Sequence, residues 1–427
     1  MLGNSANVCT CGVCVPRCIL PGGTVHGVPA FAGMTDTIRG DAWVNRSWQV
    51  RFHDSLDVVC RLNGGLTATT CQSETAHMSN KTLLVGSIPL DTVEDVLKTF
   101  GAELGTFLPA IPDGEVGPRL HWISRVHYQV LVGHPDLEIV RRPRPDNGVE
   151  RQHPHDASDN WGFRVREGVD IVRFGNPGWR LGFARDAVNS YFVFKTLREK
   201  GVLPPDIRFQ VSMPMVNSVL PPRIVETPGD LEKLRPGYEE ALAAELANIV
   251  GRIPAKDLAI QWDCSSELQD CYGLIPQLPR DGAVERNLGQ IRRLVPLIPE
   301  GAALGYHLCF GTLGGWPRFT PDDLAPAVAL ANGIIEASGR RVDWMHIPAI
   351  ERTDDAFYAP LAGLEPRGAS VYLGLVHHMD TFAERLAAAR KFLPAFGVAA
   401  YCGFGRLPPA DMPQVLADHK RAVAMAG

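Results

Sequence analysis

The stretch 303-ALGYHLCFGTLGGW-316 sets His307 and Cys309 two residues apart at the end of a run of apolar and small residues that reads as a buried strand. A strand repeats every two residues, so the imidazole and the thiol share one face. With 13 His and 10 Cys in 427 residues, a His-x-Cys pair arises by chance about 0.3 times in such a chain. The spacing therefore gains meaning only from the strands around it.

Working outward, eight short runs of this kind recur: 82–87 (TLLVGS), 106–111 (TFLPAI), 207–213 (IRFQVSM), 257–263 (DLAIQWD), 302–309 (AALGYHLC), 342–347 (VDWMHI), 370–376 (SVYLGLV) and 398–402 (VAAYC). Amphipathic helical patterns alternate with them, over 91–103, 118–132, 229–252, 283–295, 322–338, 380–394 and 411–425. Alternating β and α units around a parallel sheet, eight strands in all, predict an α/β fold of the (β/α)8 TIM-barrel class over 78–427. Residues 134–186, rich in Pro, Arg, Asp and Trp, are too long for a simple connection between strands two and three. They read as an insertion, either covering the barrel mouth or a solvated excursion.

Residues 1–77 lack sustained periodicity and hold six of the ten cysteines. The run "CTCGVCVPRC" has no second Cys or His pair at zinc-finger spacing, and no basic and apolar leader precedes it. "VHGVPAFAGMT" resembles translated bacterial intergenic repeat sequence. The expectation is that residues 1–77 are a non-native or disordered extension and that the natural start is Met78.

Composition narrows the function. A net charge of −5 and 45% hydrophobic residues describe a globular protein with no electrostatic pull toward nucleic acid or anionic membranes, and no apolar run reaches the ~20 residues a spanning helix needs. Sparse cysteines after residue 78 suit a reduced, cytoplasmic compartment. The expected partners are small molecules.

Barrel chemistry sits at the C-terminal ends of strands. There the sequence places Ser87, Asp113 and Glu115, Asp263 and Glu267, His307 and Cys309, His346, His377 and His378, and Cys402. Thiolate and imidazole together suit zinc, with His307, Cys309 and Cys402 as core ligands. Taken singly, the cysteines read better as small core hydrophobes and His307 as a hydrogen-bonded core histidine.

Six segments in order resemble the catalytic barrel of cobalamin-independent methionine synthase, within the uroporphyrinogen decarboxylase-like superfamily. They are "LLVGSIPLDT", "PDGEVGPRLHWI", "IQWDCSSEL", "YHLCFG", "GLVHHMD" and "AYCGFGR", spanning about residues 82–407. The resemblance implies a single TIM barrel whose zinc binds a substrate thiol. It implies His307, Cys309 and Cys402 as zinc ligands, and Ser87, Glu115, Asp263 and Glu267 around the substrate, with His378 and Asp263 in catalysis. His378 matches a family histidine associated with proton movement at the methyl donor.

The family's glutamate ligand after strand six is not reproduced in register. His346 on the strand is the favoured fourth ligand, and Glu351 just beyond it is the alternative. The family's "DEP" reads "DCS" here, and its N-terminal barrel has no counterpart, so methionine synthesis from folate is not implied.

The expected function is a zinc-dependent methyl or alkyl transferase to a thiol, with a methyl donor that includes corrinoids or a corrinoid protein among its forms. The alternatives are a uroporphyrinogen decarboxylase-like lyase and a non-catalytic zinc- or small-molecule-binding barrel.

Overall fold

The computed structural model describes residues 81–427, apart from Ala157 and residues 176–180, and only short strand pieces before residue 81. The chain divides into two compact units, Met1–Thr75 and Ala76–Gly427. The expected N-terminal extension and its cysteine run lie outside the described residues.

The second unit is a nearly closed TIM barrel. Its eight strands are β1 (Thr82–Leu83), β2 (Ala110–Pro112), β3 (Arg208–Pro214), β4 (Leu258–Cys264), β5 (Ala303–Leu308), β6 (Trp344–Pro348), β7 (Ser370–Gly374) and β8 (Gly397–Ala399). Each overlaps one of the eight sequence runs. They pair in parallel in the order β1-β8-β7-β6-β5-β4-β3-β2. No ladder joins β1 to β2.

Side-chain amides work at that seam instead. Gln210 Nε2 on β3 donates to the carbonyls of Leu84 (3.2 Å) and Val85 (2.9 Å), and Gln261 Nε2 on β4 donates to Val85 O at 2.7 Å. Backbone carbonyls just past β1 thus find donors inside the barrel, as buried acceptors must.

Helices α1 (Val93–Leu104), α2 (Phe183–Glu199), α3 (Pro228–Arg252), α4 (Ala283–Leu294), α5 (Ala325–Ala337), α6 (Phe382–Arg390) and α7 (Met412–Ala426) lie along the chain between and after the strands. Thr227 and Asp230 form a reciprocal capping box at the start of α3. Helix α2 was not anticipated. Its segment "FARDAVNSYFVFKTLRE" carries β-branched and aromatic residues of modest helix propensity, and Phe192 faces solvent at 73% exposure, which blurs the stripe. The helix is instead held through its N-terminus, where the buried Glu245 carboxylate of α3 accepts from the amides of Leu181, Gly182 and Ala184.

Residues 134–186 contain an antiparallel hairpin, Leu137–Arg141 with Gly162–Val165. The loop it carries reaches the β5–α5 connection, for a Cβ on Gly314 would lie 3.0 Å from that of Asp156.

The barrel floor is a small cluster of Leu83, Ala110, Ala259, Ala303, Trp344, Tyr372 and Ala399. Alanines from four strands make room for the two large rings. Gly305 is required next to them, because a Cβ there would fall 1.8 Å from the Trp344 indole. That indole is fully buried and its Nε1–H reaches Gln261 Oε1 at 3.3 Å. Gly305→Ala is therefore expected to destabilise the protein by about 2–3 kcal/mol or more, read as a lowered urea midpoint. A second change, Trp344→Leu, should recover part of the loss.

Candidate metal centre

Above the floor, the inward positions become polar. Register pairs His307 of β5 with His346 of β6 and with Asp263 of β4. One step higher, Cys309 follows β5 and Cys402 follows β8. The donor atoms of His307, Cys309 and Cys402 all lie within 4.8 Å of one another. Both thiols are free, with their Sγ atoms 3.4 Å apart.

The hydrogen bonds set the histidine tautomers. His346 Nε2 lies 2.9 Å from Ala400 O, which can only accept, so that nitrogen carries the proton. Burial, then the neighbouring His307, holds the His346 pKa well below its ordinary value, and the ring is neutral. Its Nδ1 is then an acceptor, and the His307 Nδ1–H donates to it at 2.7 Å. His307 Nε2 is left buried with no oxygen or nitrogen partner, toward the Cys402 sulfur.

The sulfurs are prepared in a complementary way. A hydrogen bond from Cys402 draws the Cys309 pKa down against the effect of burial, and the Gly311 N–H, 3.3 Å from Cys309 Sγ, adds to it. Cys402 is pushed up, first by that same hydrogen bond and then by burial. Burial works against a charged His307, but Cys402 and the carboxylates of Asp263 and Glu115 raise its pKa overall. One orphaned imidazole nitrogen and two adjacent sulfurs are a donor set for a borderline-soft ion. Two thiolates at ~2.3 Å from a tetrahedral zinc stand roughly 3.8 Å apart, a few tenths of an ångström from the separation seen. The residues fit zinc.

His346 does not join the cluster, since both its nitrogens are engaged. Glu351, the alternative, is exposed and its Oε1 lies 2.9 Å from His378 Nδ1, with Asp380 nearby. Glu267 does not line the mouth with the others either. Its carboxylate accepts from Ser218 N (3.1 Å), Ser218 Oγ (2.5 Å) and Gln290 Nε2 (3.0 Å), which commits it to the barrel wall.

Ser87, Glu115 and Asp263 do come together. Ser87 Oγ donates to Glu115 Oε2. Burial, then the charge of Asp263, pushes the Glu115 pKa up to about 8. Glu115 holds a left-handed φ of 48°, rare for a residue with a side chain, and its amide donates to Asp113 Oδ1 at 2.9 Å. Asp113 in turn takes Arg119 Nη1 at 2.7 Å. Asp263 accepts from Gln261 Nε2 at 2.9 Å.

The strand-end aromatics pack next to the cysteines: Trp316 stacks on Tyr401, the neighbour of Cys402, with centroids 4.0 Å apart, and on Phe310, the neighbour of Cys309. The "FGTLGGW" loop is a turn, with positive φ at Gly311, Gly314 and Gly315. Sequence reading missed the roles of Gln210 and Gln261. The available signal was a glutamine in the middle of two otherwise apolar strands, "IRFQVSM" and "LAIQWD".

No protein-family profile matches the chain, and no curated protein does. Among solved structures, a B12-independent methionine synthase from Shewanella sp. W3-18-1, in complex with selenomethionine, is 14% identical with a TM-score of 0.52, over 82% of this chain and 96% of that one. A putative vitamin-B12 independent methionine synthase from Listeria monocytogenes is 14% identical with a TM-score of 0.44, over 78% and 86%. The first likeness is one of fold.

Proposed function

We propose that this chain is a zinc-dependent methyl or alkyl transferase acting on a thiol in the cytoplasm. The observation that carries the reading is the convergence of His307 Nε2, Cys309 Sγ and Cys402 Sγ at the C-terminal end of the barrel, with the imidazole oriented by His346. The fold shared with a B12-independent methionine synthase holding selenomethionine, a methylated selenium compound, supports it.

His307, Cys309 and Cys402 would hold the ion with three donors, and a four-coordinate zinc would then have room for a substrate sulfur. A zinc ion held by these three residues would supply the positive charge that favours the thiolate of a thiol of pKa about 8.5 at neutral pH. The chain's residues do the rest. His346 fixes the His307 tautomer so that the lone pair of Nε2 faces the sulfurs. Ser87, Glu115 and Asp263 line the pocket for the thiol substrate, Glu115 in its neutral form at pH 7. Glu351 orients His378 through Nδ1, leaving Nε2 to exchange a proton with the departing group of the methyl donor. That donor carries its methyl on nitrogen, oxygen, sulfur or a corrinoid.

The test is X-ray absorption of the zinc-loaded protein before and after adding small thiols, with homocysteine among them. A gain of one sulfur scatterer supports the reading, and an unchanged shell across the series removes it. His346→Leu adds a second check. As an orienting partner its loss should weaken zinc binding by about 10–100-fold while the one-nitrogen, two-sulfur shell persists at saturating metal. A shell that loses a nitrogen would make His346 a ligand after all.

A further inference from the structure

Most well-buried guanidiniums in this barrel have an evident partner. Arg125 meets Asp186 at 2.6 Å and Arg198 meets Asp257 at 2.8 Å, while Arg340 and Arg385 donate to backbone carbonyls. Arg223 and Arg318 break this pattern. Arg223 lies in the short turn Pro222–Ile224 after β3, and its Nε is buried with no hydrogen-bond partner. The charged group that acts on it is Arg318, of like sign, and burial together with that charge pushes its pKa down to about 9. The carboxylate whose field reaches Arg318 belongs to Asp156, which is 3.1 Å from Arg144 and caps Ser158. Among the described residues, neither guanidinium meets a carboxylate at ion-pair distance.

A guanidinium nitrogen buried without a partner, beside a second, half-buried cation, is costly unless something anionic completes the pair. Their position says what that is. The backbone N–H of Arg318 donates to Gly311 O at 3.2 Å, and the Arg318 stem packs on Gly311, its Cδ 3.2 Å from where a Cβ would stand. Gly311 is the residue whose own N–H reaches Cys309 Sγ. One glycine thus touches both the guanidinium stem and the sulfur.

We propose that Arg223 and Arg318 form the seat for an oxyanion carried by the thiol substrate, a carboxylate or sulfonate at the other end of the molecule whose sulfur is taken up beside Cys309 and Cys402. The inference rests on the thiol reading above and adds the substrate class: small anionic thiols. Two guanidiniums offer up to ten N–H donors in fixed planes, which suits the oxygens of either group.

Calorimetric titration of the zinc-loaded protein with 2-mercaptoethanesulfonate, 3-mercaptopropionate, 2-mercaptoethanol and ethanesulfonate tests it, with Arg223→Met and Arg318→Met alongside. The anionic thiols should bind wild type about tenfold or more tightly than mercaptoethanol, the worth of one charge-assisted contact. Each variant should bring them to within about twofold of mercaptoethanol, with zinc content unchanged.

Unliganded Arg223→Met should melt higher than wild type, because an unpaired buried charge is gone. A lower melting temperature would mark Arg223 as structural and overturn the proposal. So would anionic thiols that bind no better than mercaptoethanol, or an advantage that survives both variants. Ethanesulfonate that binds through both arginines while every thiol fails would support the anion seat and overturn the thiol reading alone.

Discussion

Cys309→Ser and Cys402→Ser are each expected to leave the purified protein with less than a tenth of a zinc per chain, against about one in wild type. The two sulfurs and His307 Nε2 are the donor atoms that converge in the barrel mouth, and a serine hydroxyl is a poor ligand for a borderline-soft ion. Metal analysis after dialysis reads the result directly. Glu351→Gln makes the comparison sharp, since that carboxylate is turned to His378 and its loss should leave zinc content alone. Unchanged zinc in both cysteine variants would remove the metal site, and zinc lost from Glu351→Gln would move the fourth ligand there.

The second large effect is a pH dependence of stability set by Glu115. Its pKa stands near 8 in the folded protein against an ordinary 4.5, chiefly because it is buried. Between those values the folded chain keeps a proton that the unfolded chain has released. The unfolded state binds fewer protons, so stability falls as pH rises through this window and levels off above about 8. A shift of this size corresponds to a few kcal/mol, on the order of 3–5. Glu115→Gln cannot ionise, so its urea midpoint should stay nearly flat from pH 5 to 8 while that of wild type declines. Parallel declines in the two proteins would show that another group is responsible.

The barrel and the convergence of His307, Cys309 and Cys402 were legible because they rest on periodicity and on residue types that chemistry makes rare. Eight apolar runs mark eight strands, and alternation along "YHLCFG" puts His307 and Cys309 on one face whatever the loops do. The fourth position was not legible. Whether His346 serves as ligand or as orienting partner depends on which carbonyl meets its far nitrogen, and Ala400 lies 54 residues downstream. Glu267 misled for the same reason: its partners Ser218 and Gln290 come from the wall around β4, and nothing local announces them. Helix α2 escaped notice because its stability comes from the carboxylate of Glu245 on another helix rather than from its own pattern.

The missing ladder between β1 and β2 gives the barrel two mechanically different halves. His307, Cys309 and His346 stand on or beside β5 and β6, which are laddered on both sides. Ser87 and Glu115 instead follow the two strands at the gap, which are two and three residues long and meet beyond their ends through the Ile88 N–H donating to Gly114 O at 2.7 Å. Local opening costs least where the fewest backbone hydrogen bonds must break. Amide hydrogens around residues 82–88 and 110–116 should therefore exchange sooner than those of β4 to β6. Such a barrel holds His307 and Cys309 on its rigid side and breathes beside Ser87 and Glu115.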